Sequence, residues 1–515
     1  MEVQFSSPVI TFFLFLSMLW FAKRYIYKPN RLHKLPPGPW KLPLIGNLHQ
    51  LASATSSHPH RALRELAHKY GPLMHLQLGE ISAVIVSSPN MAKEIMKTHD
   101  LSFANRPKFL SSEIIAYGSS DMAFAPYGDY WRQMRKICML ELLSVKKVQS
   151  FSHIREDEVA KLIGTIQSSK GAAINLSNMV KSFVSTFVSR AVFGNISEDQ
   201  EEFLLLVKKA AEVSDGLDVA DLFPSLKPIH FITGLKATLE KMHQQVDKIV
   251  DKIIKENQVT QRRKKEGMGG KFNKNENLVE VLLRVQSSTL EFPITINNVK
   301  AAIWDIFAAG TDSSATVVEW GMSELMRNPR VMKKAQAEIR QTFRGKQTIH
   351  EADIGELSYL KEVMRETMRL HPPFPLLLPR ECREACNIGG YDIPIETKVI
   401  INAWAVARDP EHWYDAERFI PERFHGTCCI DFKGTNFEYL PFGAGRRVCP
   451  GISFGLATVE FALAKLLYHF DWELPQGMEP EDLDMDEAFG LVAGRKNSLY
   501  LIPTPYNPLT HANGN

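Results

Sequence analysis

The sequence predicts a mainly α-helical protein with small β-sheets, in which one large domain follows an N-terminal transmembrane helix. Three observations predict this class. Residues 3–22 carry no charged side chain. Helical periodicity dominates from about Asp129 to Arg340. Short alternating apolar runs, clearest between Gly71 and Ser88, predict only a few short strands.

The N-terminal stretch has about the length of a membrane-spanning helix. Roughly 20 apolar residues are needed to cross a bilayer, and residues 3–22 supply them. A basic flank follows at once, formed by Lys23, Arg24, Lys28, Arg31 and Lys34. By the positive-inside rule, this flank stays in the cytosol. A cleaved signal peptide would carry its charge before the apolar run, so an uncleaved anchor over residues 3–22 is the better interpretation.

Residues 23–40 combine the basic flank with a proline-rich hinge that includes Pro36, Pro37 and Pro39. Prolines stiffen the chain and cannot continue a helix. We therefore expect this segment to set the angle between the anchor and the body of the protein.

The body, residues 41–510, reads as one domain because it contains no internal repeat and no change of composition. Gly71–Ser88 is predicted to form a hairpin and Ile393–Ala403 to form short strands. Arg262–Asn277 is the clearest exposed linker. Gly455–Phe470 is apolar around most of its circumference and predicts a largely buried helix.

Composition excludes some classes of function. The chain has 515 residues, 44% of them hydrophobic, and a formal net charge of +3. These values are those of a globular protein and give no sign of nucleic-acid binding. The six cysteines show neither disulfide nor zinc spacing, which favours a reducing compartment.

Cys449 lies in the run from Pro441 to Gly451, whose residue types suit a thiolate beside a flat ligand. The glycines let the backbone approach closely and adopt positive φ. Pro450 is a favourable first helical residue, which places Cys449 at about the N-cap of a helix. The helix dipole there is expected to lower the pKa of the thiol. Arg447 adds a fixed cation suited to a carboxylate. A shielded thiolate of this kind is a strong axial ligand for haem iron.

This run resembles the haem-binding signature of cytochromes P450, Phe-x-x-Gly-x-Arg-x-Cys-x-Gly, and matches it fully. A structural cysteine would explain Cys449 alone, but not the other residues at their fixed offsets. The resemblance implies a cytochrome P450 fold and haem b (iron protoporphyrin IX) held by Cys449 as the axial iron ligand. It also implies cofactor contacts from Phe442, Gly443, Arg447 and Gly451. The proline hinge resembles that of microsomal members of the family.

Further haem contacts follow from the same resemblance. Trp131 and Arg135 match a Trp-x-x-x-Arg helix and lie four residues apart, on one helical face. Without Cys449, a core tryptophan and a surface arginine would explain this pair. Arg380 matches a family position for the propionates. Arg135, Arg380 and Arg447 would together neutralise two buried carboxylates.

Glu366 and Arg369 fit the Glu-x-x-Arg pair of the family. The spacing alone is weak, since Glu324–Arg327 and Glu362–Arg365 share it. The Leu-His-Pro-Pro that follows Arg369 favours the assignment. Arg423 would complete a Glu–Arg–Arg lock that holds the loop carrying the cysteine.

A run of small and polar residues lies inside the helical pattern from Ile296 to Arg327. Its Thr311, Asp312 and Ser313 match the catalytic segment of the family, with Ser313 where threonine is usual. A hydroxyl remains for proton delivery, and Asp312 would draw in protons. Serine lacks the methyl group that fixes the rotamer, so the coupling of oxygen use to product formation is an open question. A patch for helix packing is the alternative.

The resemblance implies a monooxygenase that uses O2 and takes NADPH electrons from a separate NADPH–cytochrome P450 reductase, with cytochrome b5 as a further partner. One oxygen atom enters the substrate and the other leaves as water. The expected location is the endoplasmic reticulum membrane, spanned once, with the catalytic domain facing the cytosol.

The substrate is expected to be small and apolar. Family alignment implies a pocket that includes Ile303, Ala309, Phe374, Leu377 and Phe489, although any of these could instead fill core. The chain resembles plant members of the seventy-one clan that oxidise terpenes, which favours a terpenoid. Indole alkaloids and flavonoids or other phenolics remain alternatives, because similar relatives oxidise them.

Two other classes of function remain open. One is a haem enzyme of this fold that rearranges peroxides without a reductase, although such enzymes usually lose the groups found at Asp312 and Ser313. The other is a non-catalytic, membrane-tethered haem-binding protein, which would show no NADPH-dependent turnover.

Overall fold

A computed structural model describes residues 34–52, 58–194, 200–213, 219–226, 233–265, 276–288, 291–426, 430–475 and 477–507. None of the helices in these ranges is long and apolar enough to cross a membrane. The predicted transmembrane segment, residues 3–22, and most of the basic flank lie outside the described residues.

Helices form most of the described chain, as the periodicity predicts. The α-helices are α1 Leu48–Ala52, α2 Pro59–Tyr70, α3 Pro89–Lys93, α4 Leu110–Ile115, α5 Asp129–Ile137, α6 Val145–Ser150, α7 Ser152–Ser168, α8 Leu176–Phe193, α9 Gln200–Val213, α10 Val219–Leu222, α11 Leu235–Lys265, α12 Leu278–Gln286, α13 Ile296–Arg327, α14 Pro329–Thr342, α15 Ser358–Leu370, α16 Ala403–Val406 and α17 Ile452–His469. Short π-helical turns, Glu94–Thr98 and Cys138–Leu142, extend α3 and α5.

The strands form small sheets. They are β1 Leu73–Leu78, β2 Ile81–Val86, β3 Ile174–Asn175, β4 Arg380–Glu381, β5 Cys386–Ile388, β6 Tyr391–Ile393, β7 Lys398–Ile401, β8 Phe470–Glu473 and β9 Tyr500–Pro505. The largest sheet has the order β1-β2-β7-β4, with only the β2–β7 pair parallel. The order β3-β9-β8 and the pair β5-β6 make up the others. The predicted hairpin over Gly71–Ser88 is therefore confirmed.

Helix α13 runs through the largest hydrophobic cluster and has the bounds that the periodicity predicts. The Thr295 side chain accepts a hydrogen bond from the Asn298 backbone amide, and the Asn298 side chain accepts one from the Thr295 backbone amide, which forms a capping box. The helix ends before Asn328 and Pro329, since proline disfavours helical backbone in the residue before it. It packs against α8, α15 and α17. This contact brings its middle turns close to the loop that carries Cys449.

The described part of the hinge lies against the sheet. The His75 amide donates to the Pro37 carbonyl at 2.9 Å. A Cβ atom on Gly38 would lie 2.0 Å from the His75 carbonyl oxygen, so only glycine permits this approach. The segment is thus fixed to β1 where it enters the domain.

Candidate active site

The cavity beside Cys449 has a volume of about 260 Å³, measured as the space open to the centre of a water molecule. Its walls come from α13, α17, the Cys449 loop, α5 and the segment after α15. Most of its lining side chains are apolar, among them Ile306, Val317, Leu378, Phe454 and Val459. Arginine side chains lie at its edge, and Asp305 is the only acidic group among the described residues that line it.

Cys449 reaches the cavity from the loop that precedes α17. Its amide donates to the Phe442 carbonyl at 3.0 Å, which closes the loop. The sequence analysis predicted Cys449 at about the N-cap of a helix. The N-cap of α17 is Gly451, so Cys449 lies two residues before it. Burial raises the pKa of the thiol, and the Gly451 amide and Arg135 only partly oppose this. The expected lowering is therefore wrong, because desolvation outweighs the helix terminus.

Two glycines give the Cys449 loop its shape. Gly443 and Gly445 both have a φ of 68°, where a side chain is strained. A Cβ atom on Gly445 would also lie 2.3 Å from the Met96 carbonyl oxygen. The Asp100 carboxylate accepts from the Arg446 amide at 2.9 Å and so holds the next residue. Phe442 and Gly443 line the cavity, as does Gly451 on the far side of the cysteine.

Arginine side chains surround one end of the cavity. Arg447 donates to three backbone carbonyls, at Ala104, Met122 and Ala125, over 2.6–3.2 Å. Its guanidinium lies 4.3 Å from the centre of the Trp131 ring. The Trp131 indole donates to Met122 as well, at 3.0 Å.

The other arginines differ in their partners. Arg380 donates to Asp100 at 3.0 Å and to the Ala444 carbonyl at 2.7 Å. Within the described ranges, Arg106 donates only to backbone carbonyls, such as that of Leu378 at 2.7 Å. Among the described residues, no group accepts a hydrogen bond from Arg135, which lines the cavity beside Trp131.

The predicted catalytic segment divides between the cavity and the helix interior. Ser313 lines the cavity, and its hydroxyl donates to the Ala309 carbonyl at 2.6 Å. Asp312, the residue before Ser313, does not line the cavity, and burial raises the pKa of its carboxyl group against the opposing effect of Lys181 and Lys208. Thr311 does not line the cavity either, and its buried hydroxyl donates to the Phe307 carbonyl at 2.6 Å.

Glu366, Arg369 and Arg423 form one buried network. Arg369 binds both Glu366 oxygens, at 2.7 and 2.9 Å, and Arg423 Nε binds one of them at 2.9 Å. The remaining donors of the two guanidinium groups reach carbonyls between Ala407 and Arg418. Trp413, inside that segment, donates to the Glu438 carbonyl at 3.2 Å, a few residues before the Cys449 loop. The network thus stabilises the segment on which the loop rests.

Three of the five predicted pocket residues lie at the cavity. Ala309, Phe374 and Leu377 line it, and Leu377 has a φ of 52°. Ile303 does not, because the lining part of α13 begins at Asp305 and Ile303 packs in the core beyond it. The Phe489 side chain is 58% exposed in a surface depression outside the cavity, where charged residues such as Arg61 and Lys496 surround it.

Comparison with known proteins supplies the family. The family model described as Cytochrome P450 matches residues 36–502. The chain belongs to the cytochrome P450 family. A solved structure described as zebra fish cytochrome P450 with progesterone superimposes with a TM-score of 0.73 and 23% identity, over 87% of this chain and 99% of that one. This likeness supports the fold alone.

Plant relatives of this P450 are far more similar. Cytochrome P450 71D8 from Glycine max is 59% identical, over 98% of this chain and 99% of its own length. Premnaspirodiene oxygenase from Hyoscyamus muticus is 53% identical, with the same coverage of both chains. Desmethyl-deoxy-podophyllotoxin synthase from Sinopodophyllum hexandrum is 54% identical, over 98% of each chain.

The arginine cluster of this P450 fits a haem. Burial lowers the pKa of Arg106, Arg135, Arg380 and Arg447, to about 9 for Arg447, where Arg380 adds to the effect. Negative charge placed beside these guanidinium groups would offset their desolvation. Haem carries two carboxylates, and the apolar walls suit its flat macrocycle. The residues around Cys449 therefore fit the haem cofactor of the cytochrome P450 family.

Two of the charged residues that line the cavity were not singled out by the sequence analysis. Arg106 lines the cavity in a loop where no helical or strand pattern marks its direction. Asp305 lies on α13 one turn before Ala309, and its helical spacing from Ala309 could have indicated that it faces the cavity. Neither belongs to a short motif that the sequence analysis used.

Proposed function

We propose that this P450 monooxygenase inserts one oxygen atom from O2 into an apolar terpenoid, with NADPH electrons that arrive through NADPH–cytochrome P450 reductase. The observation that carries the substrate class is the 53% identity, over nearly the full length, to premnaspirodiene oxygenase, whose name gives a terpene substrate. The mostly apolar cavity agrees with such a substrate, since Phe374 and Leu377 offer contact area without hydrogen bonds.

Residues that line the cavity would bind the haem. Cys449 would bind the haem iron, and Arg135, Arg380 and Arg447 would bind the two carboxylates, with Arg106 beside them. When bound, the haem supplies the activation of dioxygen, which a thiolate ligand favours. Phe442, Gly443 and Gly451 would lie against the macrocycle, which the positive φ of Gly443 allows.

Proton supply would come from the α13 side of the cavity. The Ser313 hydroxyl donates to Ala309 and keeps lone pairs that can accept and pass on a proton. The raised pKa of Asp312 lets its carboxyl group hold a proton closer to neutral pH than an ordinary aspartate does. We give Thr311 no part in this transfer, because its side chain is buried and does not line the cavity.

Residues 3–22 would anchor the enzyme in the endoplasmic reticulum membrane, and the hinge within residues 23–40 would connect this anchor to the catalytic domain, residues 41–510. The basic flank would keep that domain in the cytosol, where it meets the reductase and cytochrome b5. The contact of Pro37 with β1 supports a defined angle between hinge and body.

A second substrate class has a specific observation in its favour. A relative that is 54% identical is named for a podophyllotoxin-type product and not for a terpene. Phenolic compounds are therefore assayed as candidate substrates, together with indole alkaloids.

The test is co-expression with a reductase in microsomes, followed by feeding of terpene olefins and alcohols, podophyllotoxin-type compounds and indole alkaloids. Products are followed by mass with and without NADPH and carbon monoxide, with a Cys449→Ala variant as the inactive control. An oxygenated terpene that requires NADPH and disappears with carbon monoxide supports the proposal. Products only from the other compounds would replace the terpenoid, and no NADPH-dependent product despite an intact thiolate spectrum would favour a non-catalytic haem-binding protein.

A matched pair of variants tests the pocket. Phe374→Ala and Phe489→Ala remove the same ring, one inside the cavity and one outside it. We expect only Phe374→Ala to change the distribution of products. An equal change in both variants would contradict the assignment of this cavity to the substrate.

A further inference from the structure

Two carboxyl groups, Asp121 and Asp305, lie close together beside the cavity. Asp121 is only 2% exposed, and Asp305 on α13 lies close enough for its charge to act on the pKa of Asp121. Burial raises the pKa of both carboxyl groups, and the negative charge of Asp305 adds to the effect on Asp121.

The pair binds the backbone of the loop between α4 and α5. One Asp305 oxygen accepts from the amide groups of both Met122 and Ala123. One Asp121 oxygen accepts from the Phe124 amide at 3.2 Å. Three consecutive amides are therefore held by two side chains, one of which lies on the central helix.

The carbonyl groups of the same loop orient the cavity arginines. The Met122 carbonyl accepts from Arg447 at 3.2 Å and from Trp131 at 3.0 Å. The Ala123 carbonyl accepts from Arg106 Nε at 2.9 Å, and the Ala125 carbonyl accepts from Arg447 at 2.6 Å. Two peptide units, Met122–Ala123 and Ala123–Phe124, thus bind a carboxyl group through their N–H and a guanidinium group or an indole through their C=O.

We propose that Asp305 and Asp121 are positioning residues for the cofactor, because they hold the loop from Met122 to Ala125 on α13 and this loop aims Arg106 and Arg447 at the haem carboxylates. The inference rests on the proposed haem contacts. It gives a function to the only acidic side chain among the described residues that line the cavity.

The charges around the pair agree with a positioning role. Arg106 and Arg447 lie close enough to Asp121 for its charge to oppose the lowering of their pKa. The Tyr130 hydroxyl, on α5, donates to the Ser120 carbonyl at 2.5 Å, directly before Asp121.

Asp305→Leu, Asp305→Asn and Val318→Ala test the proposal in the full-length holoenzyme. Leucine removes both acceptors, whereas asparagine keeps an acceptor for the loop amides and a donor for Asp121. Val318 is fully buried on the same helix but does not line the cavity, which makes it the matched control for loss of core packing. The readouts are the rate of haem transfer to excess apomyoglobin and the resonance Raman bands of the haem propionates.

We expect Asp305→Leu to lose haem about tenfold faster or more, with shifted propionate bands, as is usual when a supporting contact is removed. Asp305→Asn and Val318→Ala should remain within about twofold of the wild type. The proposal is wrong if Asp305→Leu releases haem at the wild-type rate, or if either other variant releases it as fast as Asp305→Leu does.

If Asp305→Leu yields no holoenzyme at all, Asp305→Asn decides: near-normal haem retention supports the proposal, and its loss overturns it. A wild-type chain that binds no haem would instead refute the proposed function, so the two failures are distinguishable.

Discussion

Replacement of Glu366 by alanine should prevent stable haem binding. The Glu366 carboxylate is fully buried and accepts hydrogen bonds from Arg369, Arg423 and the Ile420 amide, all within 2.9 Å. Alanine would leave two guanidinium groups, 0% and 3% exposed, without a counter-charge. Breaking a buried pair in this way costs roughly 3–5 kcal/mol.

Both arginines keep carbonyl partners after the change, so the lower part of that range is the better estimate. Even about 3 kcal/mol is a large part of the total stability of an ordinary domain. The loss would fall on the segment from Ala407 to Ile420, on which the Cys449 loop rests through Trp413. We therefore expect loss of the cysteine–haem bond before loss of helical structure.

The assay is the carbon monoxide difference spectrum per amount of protein, combined with circular dichroism in urea. Glu362→Ala is the matched control, since Glu362 lies one turn earlier on α15 and, among the described residues, pairs only with the exposed His425 at 2.8 Å. Because His425 is 76% exposed, its loss of a partner leaves no buried cation without a counter-charge. Normal haem content in Glu366→Ala, or equal loss in both variants, would refute the reasoning.

Two further predictions concern proton chemistry. Ser313→Ala should lower the amount of product formed per NADPH roughly tenfold or more, with hydrogen peroxide released instead, because the hydroxyl at the cavity is lost. Ser313→Thr should restore or improve this coupling. Unchanged coupling in Ser313→Ala would contradict the role of the hydroxyl. Burial, with a smaller effect of Lys41, lowers the pKa of His75 from 6.5 to about 4. The unfolded chain then binds the extra proton, so this stability is present above pH 6.5 and is lost as the pH falls toward 4. Unfolding in urea at pH 7 and pH 5 should differ by about 2 kcal/mol more in the wild type than in His75→Gln, and equal differences would exclude the mechanism.

The parts of this enzyme that the sequence predicted are those with short, local chemistry. The glycines, arginine and proline around Cys449 act within one loop, so their spacing carries the information. The bounds of α13 follow from Thr295 at its start and the Asn328–Pro329 pair at its end. Choosing Glu366 over Glu324 and Glu362 needed only the residues that follow it, and the structure buries the chosen pair completely.

The parts that the sequence did not predict depend on contacts between distant segments. Arg106 and Asp305 are nearly 200 positions apart, and only the fold brings both to one cavity. The pKa of Cys449 was misjudged for a related reason: the helix end is a local feature, whereas the burial that outweighs it comes from packing of the whole domain. The prediction that Phe489 lines the pocket was wrong for a similar reason. Whether a turn is exposed depends on how the whole chain packs around it.

The buried arginine cluster also affects the stability of the fold. Arg106, Arg380 and Arg447 are each less than a tenth exposed, and Asp100 is the only carboxylate that pairs with any of them among the described residues. Such a concentration of buried positive charge opposes folding of the protein alone. A ligand that supplies two carboxylates and binds only the folded state removes that cost and stabilises the fold by mass action. The cofactor is in this sense part of the core, and the Asp121–Asp305 pair keeps the cluster in place for it.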